Sequence, residues 1–211
     1  MRAAALLVVA GCYSYPTMAR ARIERPGHVE LWVAPEAAIV ATPGGDGKEA
    51  GASSRPVVEG GVRYGLSDHF ELDARAGTFG LGAGARIQLL RAPTPSSGID
   101  IALAPAIEYT LPDKPAIELP VQLGINLRDR DQLVLAARVV YQQHYGVGGV
   151  SGPVSFAYAG ASIGYAWQVT RCVALMPEVS LLTQIYAEPG FTSSLPDAIG
   201  IEAGLGVLWD H

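Results

Sequence analysis

The chain has 211 residues, a formal net charge of −5, 49% hydrophobic residues and only 17% charged ones. An acidic balance argues against nucleic acid as a partner, and the charged fraction falls well below the roughly 25% of an ordinary soluble domain. No stretch approaches the roughly 20 apolar residues of a transmembrane helix, so any contact between the body of the chain and a bilayer would have to be made by a closed sheet. The length suits one β-barrel or sandwich domain. Lysine occurs only as Lys48 and Lys114, both among Gly, Pro and Asp; every other cation is arginine.

The chain opens MRAAALLVVAGC. Arg2 is a minimal positive n-region, and Ala3 to Ala10 form a short apolar h-region, the grammar of an export signal. Val9-Ala10-Gly11-Cys12 resembles a bacterial lipobox. That resemblance implies cleavage after Gly11 and acylation of the Cys12 thiol, with residues 1–11 as the signal peptide. An ordinary signal peptide with a chance cysteine is the plainer alternative. With two cysteines in all, a Cys12–Cys172 disulfide is possible in form, but lipidation would exclude it. Residues 12–28 have no clean period and read as a periplasmic tether, leaving 29–211 for the folded body.

From Val29 onward the chain alternates in roughly ten segments, each near the 9–11 residues of a membrane-spanning strand. In order they are Val29–Val40, Pro56–Leu66, Phe70–Thr78, Leu81–Leu90, Ile99–Tyr109, Ile117–Leu127, Leu133–Gln143, Val154–Val169, Val173–Gln184 and Ala198–Trp209. Pro35, Pro105, Pro120 and Pro177 fall inside strands, where each removes a ladder donor and calls for a bulge or an unpaired position. Three-residue turns at Ser67–His69 and Thr170–Cys172 would keep Leu66 in phase with Phe70 and Val169 with Val173. Asp68 suits the first, because its side chain can take backbone amides two residues on.

One face of these segments is aliphatic almost without a break: Val58, Val62, Leu66, then Leu72, then Ile87 and Leu89, then Ile117, Leu119, Val121, Leu123 and Ile125. The other carries Glu59, Arg63, Glu71, Asp73, Arg75, Arg86, Asp100, Glu108, Glu118, Gln122, Arg138, Glu178 and Glu202, with Gly and Ala between them. A water-facing sheet would hold Lys, Thr and Ser, with Gly and Ala poor there. Arginines, carboxylates and very small residues are instead what a narrow lumen needs, since Arg–carboxylate forks satisfy one another there. The predicted fold is therefore an all-β, antiparallel up-and-down transmembrane barrel of about ten strands, eight to twelve being compatible, greasy outside and polar inside. A soluble, lipocalin-like barrel with the faces reversed, holding an apolar ligand in the periplasm, is the competing reading.

If the N-terminus is periplasmic, that side has the connections Ser67–His69, Arg91–Gly98, Arg128–Gln132 and Thr170–Cys172. The opposite side gets Ala41–Arg55, Phe79–Gly80, Thr110–Ala116, His144–Pro153 and Ile185–Asp197. Apart from the Phe79–Gly80 link, this follows the short-inside, long-outside rule of outer-membrane barrels. Tyr64, Phe70, Tyr165, Trp167 and Trp209 would gather at the periplasmic interface, and Tyr109, Tyr141, Tyr145 and Tyr186 at the outer one.

With its alternation and its YGLSDHFEL hairpin, the chain resembles a small bacterial outer-membrane β-barrel protein. That resemblance implies outer-membrane lipid as a partner and insertion from the periplasm by the barrel-assembly machinery. A C-terminal aromatic is usual in this group; here Trp209 is followed by Asp210 and His211. The expected role is structural, or the binding or passage of small solutes through a charge-filled lumen. No cofactor is expected, and no metal, because His28, His69, His144 and His211 lack ligand spacing. An enzyme is not expected; the nearest arrangement for a lipid hydrolase is His144 with Ser151 or Ser155. The glycines of GTFGLGAGAR lack the Lys and helix of a phosphate loop.

Overall fold

The computed structural model describes residues 17–42, 51–78, 80–110, 114–127, 130–145, 152–188 and 199–210. Its strands are β1 (Val29–Thr42), β2 (Gly51–Ser67), β3 (Phe70–Gly77), β4 (Gly80–Leu90), β5 (Gly98–Leu103), β6 (Ala106–Thr110), β7 (Lys114–Asn126), β8 (Gln132–Tyr145), β9 (Pro153–Gln168), β10 (Val173–Ala187) and β11 (Ile199–Asp210). Neighbours in sequence pair antiparallel, except that β5 and β6 do not pair with each other but each pair with both β4 and β7, and β1 pairs with β11 from Glu30 opposite Asp210 to Ala41 opposite Ile199, closing the ring.

The expected single strand from Ile99 to Tyr109 is two. β5 and β6 are separated by Ala104 and Pro105, because proline has no amide to give the ladder. The register runs on unshifted across the break: Leu103 lies opposite Ile87 and Ala106 opposite Gly84 on β4. The two pieces are halves of one stave, and the barrel has ten. Pro120 of β7 accepts from Ala104 N at 2.9 Å, and Pro105 from Ala85 N at 3.0 Å, so the gap is bridged.

The connections fall at two ends, one of short turns and one of mostly longer loops. At the short-turn end, Val169 and Val173 stand opposite one another across Thr170–Cys172, the expected three-residue turn. The Ser67–His69 turn differs. It has two residues, Asp68 and His69, and the extra residue is taken up as a bulge between Gly65 and Ser67. Asp68 does not cap the turn through its own carboxylate; His69 N donates to Ser67 Oγ at 3.3 Å, and Asp68 Oδ1 receives Arg91 at 3.1 Å. Most residues of the expected loops at the other end lie outside the described residues.

The alternation resolves the orientation. Leu119 is 48% exposed and Val121 44%, while Glu118, Gln122 and Arg138 are 2–3% exposed. The aliphatic face is the outer surface and the charged face is the interior, which overturns the lipocalin-like alternative. Burial of the charged side chains is tolerable only because each finds a partner inside.

Candidate functional site: a lumen occupied by the chain's own N-terminal segment

The wall contributes a lattice of ion pairs. Arg86 Nη1 meets Glu71 at 2.6 Å, and Arg63 pairs with Glu30 and reaches Asp73 at 3.2 Å. Arg75 pairs with Glu108 and with Glu118 at 2.7 Å. Arg138 links Glu118 at 3.2 Å to Glu178 at 3.6 Å. The expected network residues Arg63, Glu71, Asp73, Arg75, Arg86, Glu108, Glu118, Arg138 and Glu178 are thus brought together. Glu202 is fully buried on the same inner face, and Glu59 lies towards the long-loop end beside Gly77. Glu30 and Arg63 were joined by an unanticipated aromatic, Trp32, whose ring lies 5.0 Å from the Arg63 guanidinium carbon.

Two features of the interior depart from an all-polar lumen. Towards the long-loop end, Ala116, Val140 and Leu182 form an apolar cluster with Tyr158 packed on it. Nearer the short-turn end, Trp32, Val134, Met176 and Leu208 enclose Met18, a residue outside every strand.

Met18 belongs to the stretch that the sequence reading assigned to a periplasmic tether. The structure places residues 17–24 of it inside the barrel, with Met18, Ala19, Ala21 and Ile23 at most 1% exposed. The physical reason is main-chain satisfaction: a peptide inside a barrel must find partners for its amides, and the wall supplies them one by one. Glu178 accepts from Thr17 N at 2.7 Å and Met18 N at 2.9 Å. Gln132 accepts from Ala21 N at 2.7 Å, Gln88 from Ile23 N at 2.9 Å, and Glu71 from Glu24 N at 2.6 Å. In return Arg86 donates to Arg20 O, Gln88 to Ala21 O at 3.2 Å and Arg63 to Thr17 O at 3.4 Å.

Side chains lock the segment laterally. Arg20 reaches Asp210 at 3.2 Å and Gln168 at 2.6 Å. Arg22 meets Asp100 at 3.2 Å; Asp100 also receives Ala92 N at 2.8 Å and Asn126 at 2.5 Å. Wall glycines make the room. A Cβ at Gly204 would stand 2.7 Å from Met18 Cε, and one at Gly124 would stand 2.8 Å from Ala21 Cβ. The chain leaves the lumen at Arg25, turns through Gly27 at φ 79°, a left-handed value suited to glycine, and is tied to the wall where Gly27 N donates to Gly65 O at 2.8 Å.

Glu24 sits where the segment meets Glu30, Asp210 and Glu71. Its carboxyl is pushed up to about 8, first by burial and then by those three acids, with Arg20 acting the other way. The Glu24, Glu30 and Asp210 oxygens converge within 4.8 Å, and the guanidinium of Arg20 already sits among them. Linkage gives the sign. The docked segment holds a proton on Glu24 that the released segment loses near pH 4.5, so docking weakens as pH rises from about 4.5 to about 8 and is level above. The ratio of trypsin cleavage rates at Arg20 and Arg22 in wild type to those in Glu24→Gln should therefore climb towards pH 8 and then flatten. A ratio constant from pH 6.5 to 8 would contradict this.

The remaining expected sites are placed as follows. Tyr64, Phe70, Tyr165, Trp167 and Trp209 ring the short-turn end, and Tyr109 and Tyr141 stand towards the other, with Trp167 and Trp209 the most exposed. Tyr165 OH donates to Asp131 at 2.8 Å. His144 is buried in the lumen, its Nε2 3.0 Å from Gln142 Oε1 and its ring against Phe156. Ser155 is on the opposite face, accepting from Tyr141 OH at 2.8 Å, so of the two serines suggested for a hydrolase this one does not meet His144. Cys12, Ser151 and His211 lie outside the described residues, and Cys172 is exposed.

A closed barrel with an aliphatic exterior, paired charges inside and strands closing without an edge is the architecture of an outer-membrane β-barrel protein. The sequence matches no protein-family model and no curated protein. Among solved structures, the chain is similar to the outer membrane protease OmpT from Escherichia coli, with 8% identity, a TM-score of 0.47, and 88% of this chain and 97% of that one covered. It is also similar to Neisserial surface protein A, at 14% identity and a TM-score of 0.43 over 85% of this chain and 96% of that one. A third similar structure is OprG from Pseudomonas aeruginosa, at 10% identity and a TM-score of 0.42 over 90% and 98%.

Proposed function

We propose that the protein is a sealed barrel of the bacterial outer membrane, with a structural or small-solute-binding role rather than open passage. The observation that carries this reading is the occupied lumen: Glu178, Gln132, Gln88 and Glu71 hold the main chain of residues 17–24 across the short-turn half. The Ala116–Val140–Leu182 cluster fills space towards the other half. Ten staves leave an interior little wider than side chains fill. A catalytic role finds no support in the separation of His144 from Ser155. Reconstituted in a planar bilayer, the wild type should show little or no conductance; a steady ohmic current in most insertions would refute the sealed reading.

The same proposal includes outer-membrane lipid as the surrounding partner, insertion by the barrel-assembly machinery, and acylation at Cys12. The docked segment constrains that last element. Four residues lie between Cys12 and Thr17, so the two are at most about 17 Å apart along extended chain. Thr17 is held at Glu178, five residues along β10 from Val173, or roughly 13 Å from the short-turn rim at the usual strand tilt. Too little chain then remains to leave by that rim and pass around the wall. In this reading an acyl chain on Cys12 seated in the leaflet at the short-turn end goes with a released segment, and a docked segment goes with a Cys12 that is not seated there.

A further inference from the structure

The wall groups that hold residues 17–24 mostly recognise main chain. Five backbone N–H groups and three carbonyls of the segment are bonded to Glu178, Gln132, Gln88, Glu71, Arg86 and Arg63. These wall groups are themselves at most 4% exposed. They would grip any peptide main chain that follows the same path, which is left-handed at Met18 (φ 37°) and bends at Ala19, Ala21 and Arg22. Selectivity is added chiefly at three places, the apolar seat of Met18 and the two acidic seats of Arg20 and Arg22, with the Thr17 hydroxyl donating to Glu178 as a smaller addition. The segment itself belongs to none of the wall's strand ladders, and the β1–β11 pairing closes the ring without it. Removing it therefore breaks no strand pairing. At the short-turn end the lumen opens into a cavity of about 560 Å³ bordered by Ile23, Glu24 and Arg25, which gives a route in.

Building on the occupied-lumen reading, we propose that the barrel interior is a binding site for a cationic peptide that can take the bent path of residues 17–24, with an apolar residue two positions before an Arg-x-Arg pair, and that the chain's own residues 17–24 are an exchangeable occupant of it. A partner peptide of this chemistry would displace the segment rather than bind beside it, since the glycine-lined trough has room for one main chain.

The test uses full-length protein in detergent and a fluorescein-labelled synthetic peptide of residues 17–25, read by anisotropy. In wild type the tethered segment competes at high effective concentration. Met18→Asp unseats the tethered copy while leaving the wall intact, so this variant should bind the peptide at least about tenfold more tightly than wild type does. A peptide N-methylated at its Met18, Ala21 and Ile23 nitrogens should bind at least about tenfold more weakly than its parent, because three amide donors are gone. Equal affinity of wild type and variant, or equal affinity of the two peptides, would overturn the proposal. Should Met18→Asp lose the folded, heat-resistant gel band, Ala21→Pro replaces it, since it removes one donor from the segment and nothing from the wall. Trypsin resistance of wild-type Arg20 and Arg22 together with no peptide binding by either variant would overturn this inference alone and leave the sealed barrel standing.

Discussion

Glu71→Leu should lower the unfolding free energy of the barrel by about 3–5 kcal/mol, the usual cost of stranding one member of a buried ion pair. Glu71 is fully buried, and its two oxygens do separate jobs. One meets Arg86 at 2.6 Å; the other takes Glu24 N at 2.6 Å. The substitution thus leaves a buried guanidinium without its carboxylate and frees one end of the lumenal segment. Arg75→Leu should act similarly, since it strips a cation from both Glu108 and Glu118. The double variant Glu71→Leu with Arg86→Leu should be less destabilised than the sum of the two singles, because no uncompensated charge is left. Urea unfolding in detergent and the temperature at which the heat-resistant gel band is lost measure both effects. Wild-type values for Glu71→Leu would mean that the pair is not buried.

Met18→Asp should leave the barrel standing and release the segment. Met18 is fully buried among Trp32, Val134, Met176 and Leu208, and losing a buried methionine side chain costs about 2–5 kcal/mol. An aspartate there would add a carboxylate beside Glu178, which already accepts from Met18 N. Trypsin reads the outcome. Arg25 is followed by Pro26 and resists cleavage, so cuts after Arg20 and Arg22 report only on the segment. A loss of at least 2 kcal/mol corresponds to roughly 30-fold faster cutting where opening is fast and cleavage slow. Conductance should stay low, because the Ala116–Val140–Leu182 cluster and the ion-pair lattice remain. Cleavage at the wild-type rate would show that Met18 does not hold the segment in place.

Much of the wall was legible because period-two alternation needs no tertiary knowledge: once Leu119 points out, Glu118 and Gln122 must point in. The break at Pro105 was foreseeable as a lost donor. That its neighbours would keep register across the gap was not, since register depends on β4 and β7 as well. The interior was less legible. Val140, Leu182 and Met176 alternate like their polar neighbours, and nothing local distinguishes an apolar lumen position from a polar one. Glu30 and Glu36 share the parity of Trp32 and could have been read as inward from β1 alone. The occupied lumen was the largest departure. Its signal was present in Ala19-Arg20-Ala21-Arg22-Ile23-Glu24, a short alternation of small or apolar residues with charged ones. Six residues are too few to separate a strand from a tether, and the partners that decide it, Glu178, Gln132 and Gln88, are 65 to 161 positions away in sequence.

The orientation of the two faces underlies every other statement, and nitroxide accessibility in lipid vesicles tests it most directly. Spin labels placed singly at Leu119 and Val121 should collide readily with dissolved oxygen and poorly with a water-soluble nickel chelate, as side chains among acyl tails do. Labels at these positions that are immobilised and shielded from oxygen, or that relax strongly with the nickel chelate, would mean that the aliphatic face does not meet the bilayer.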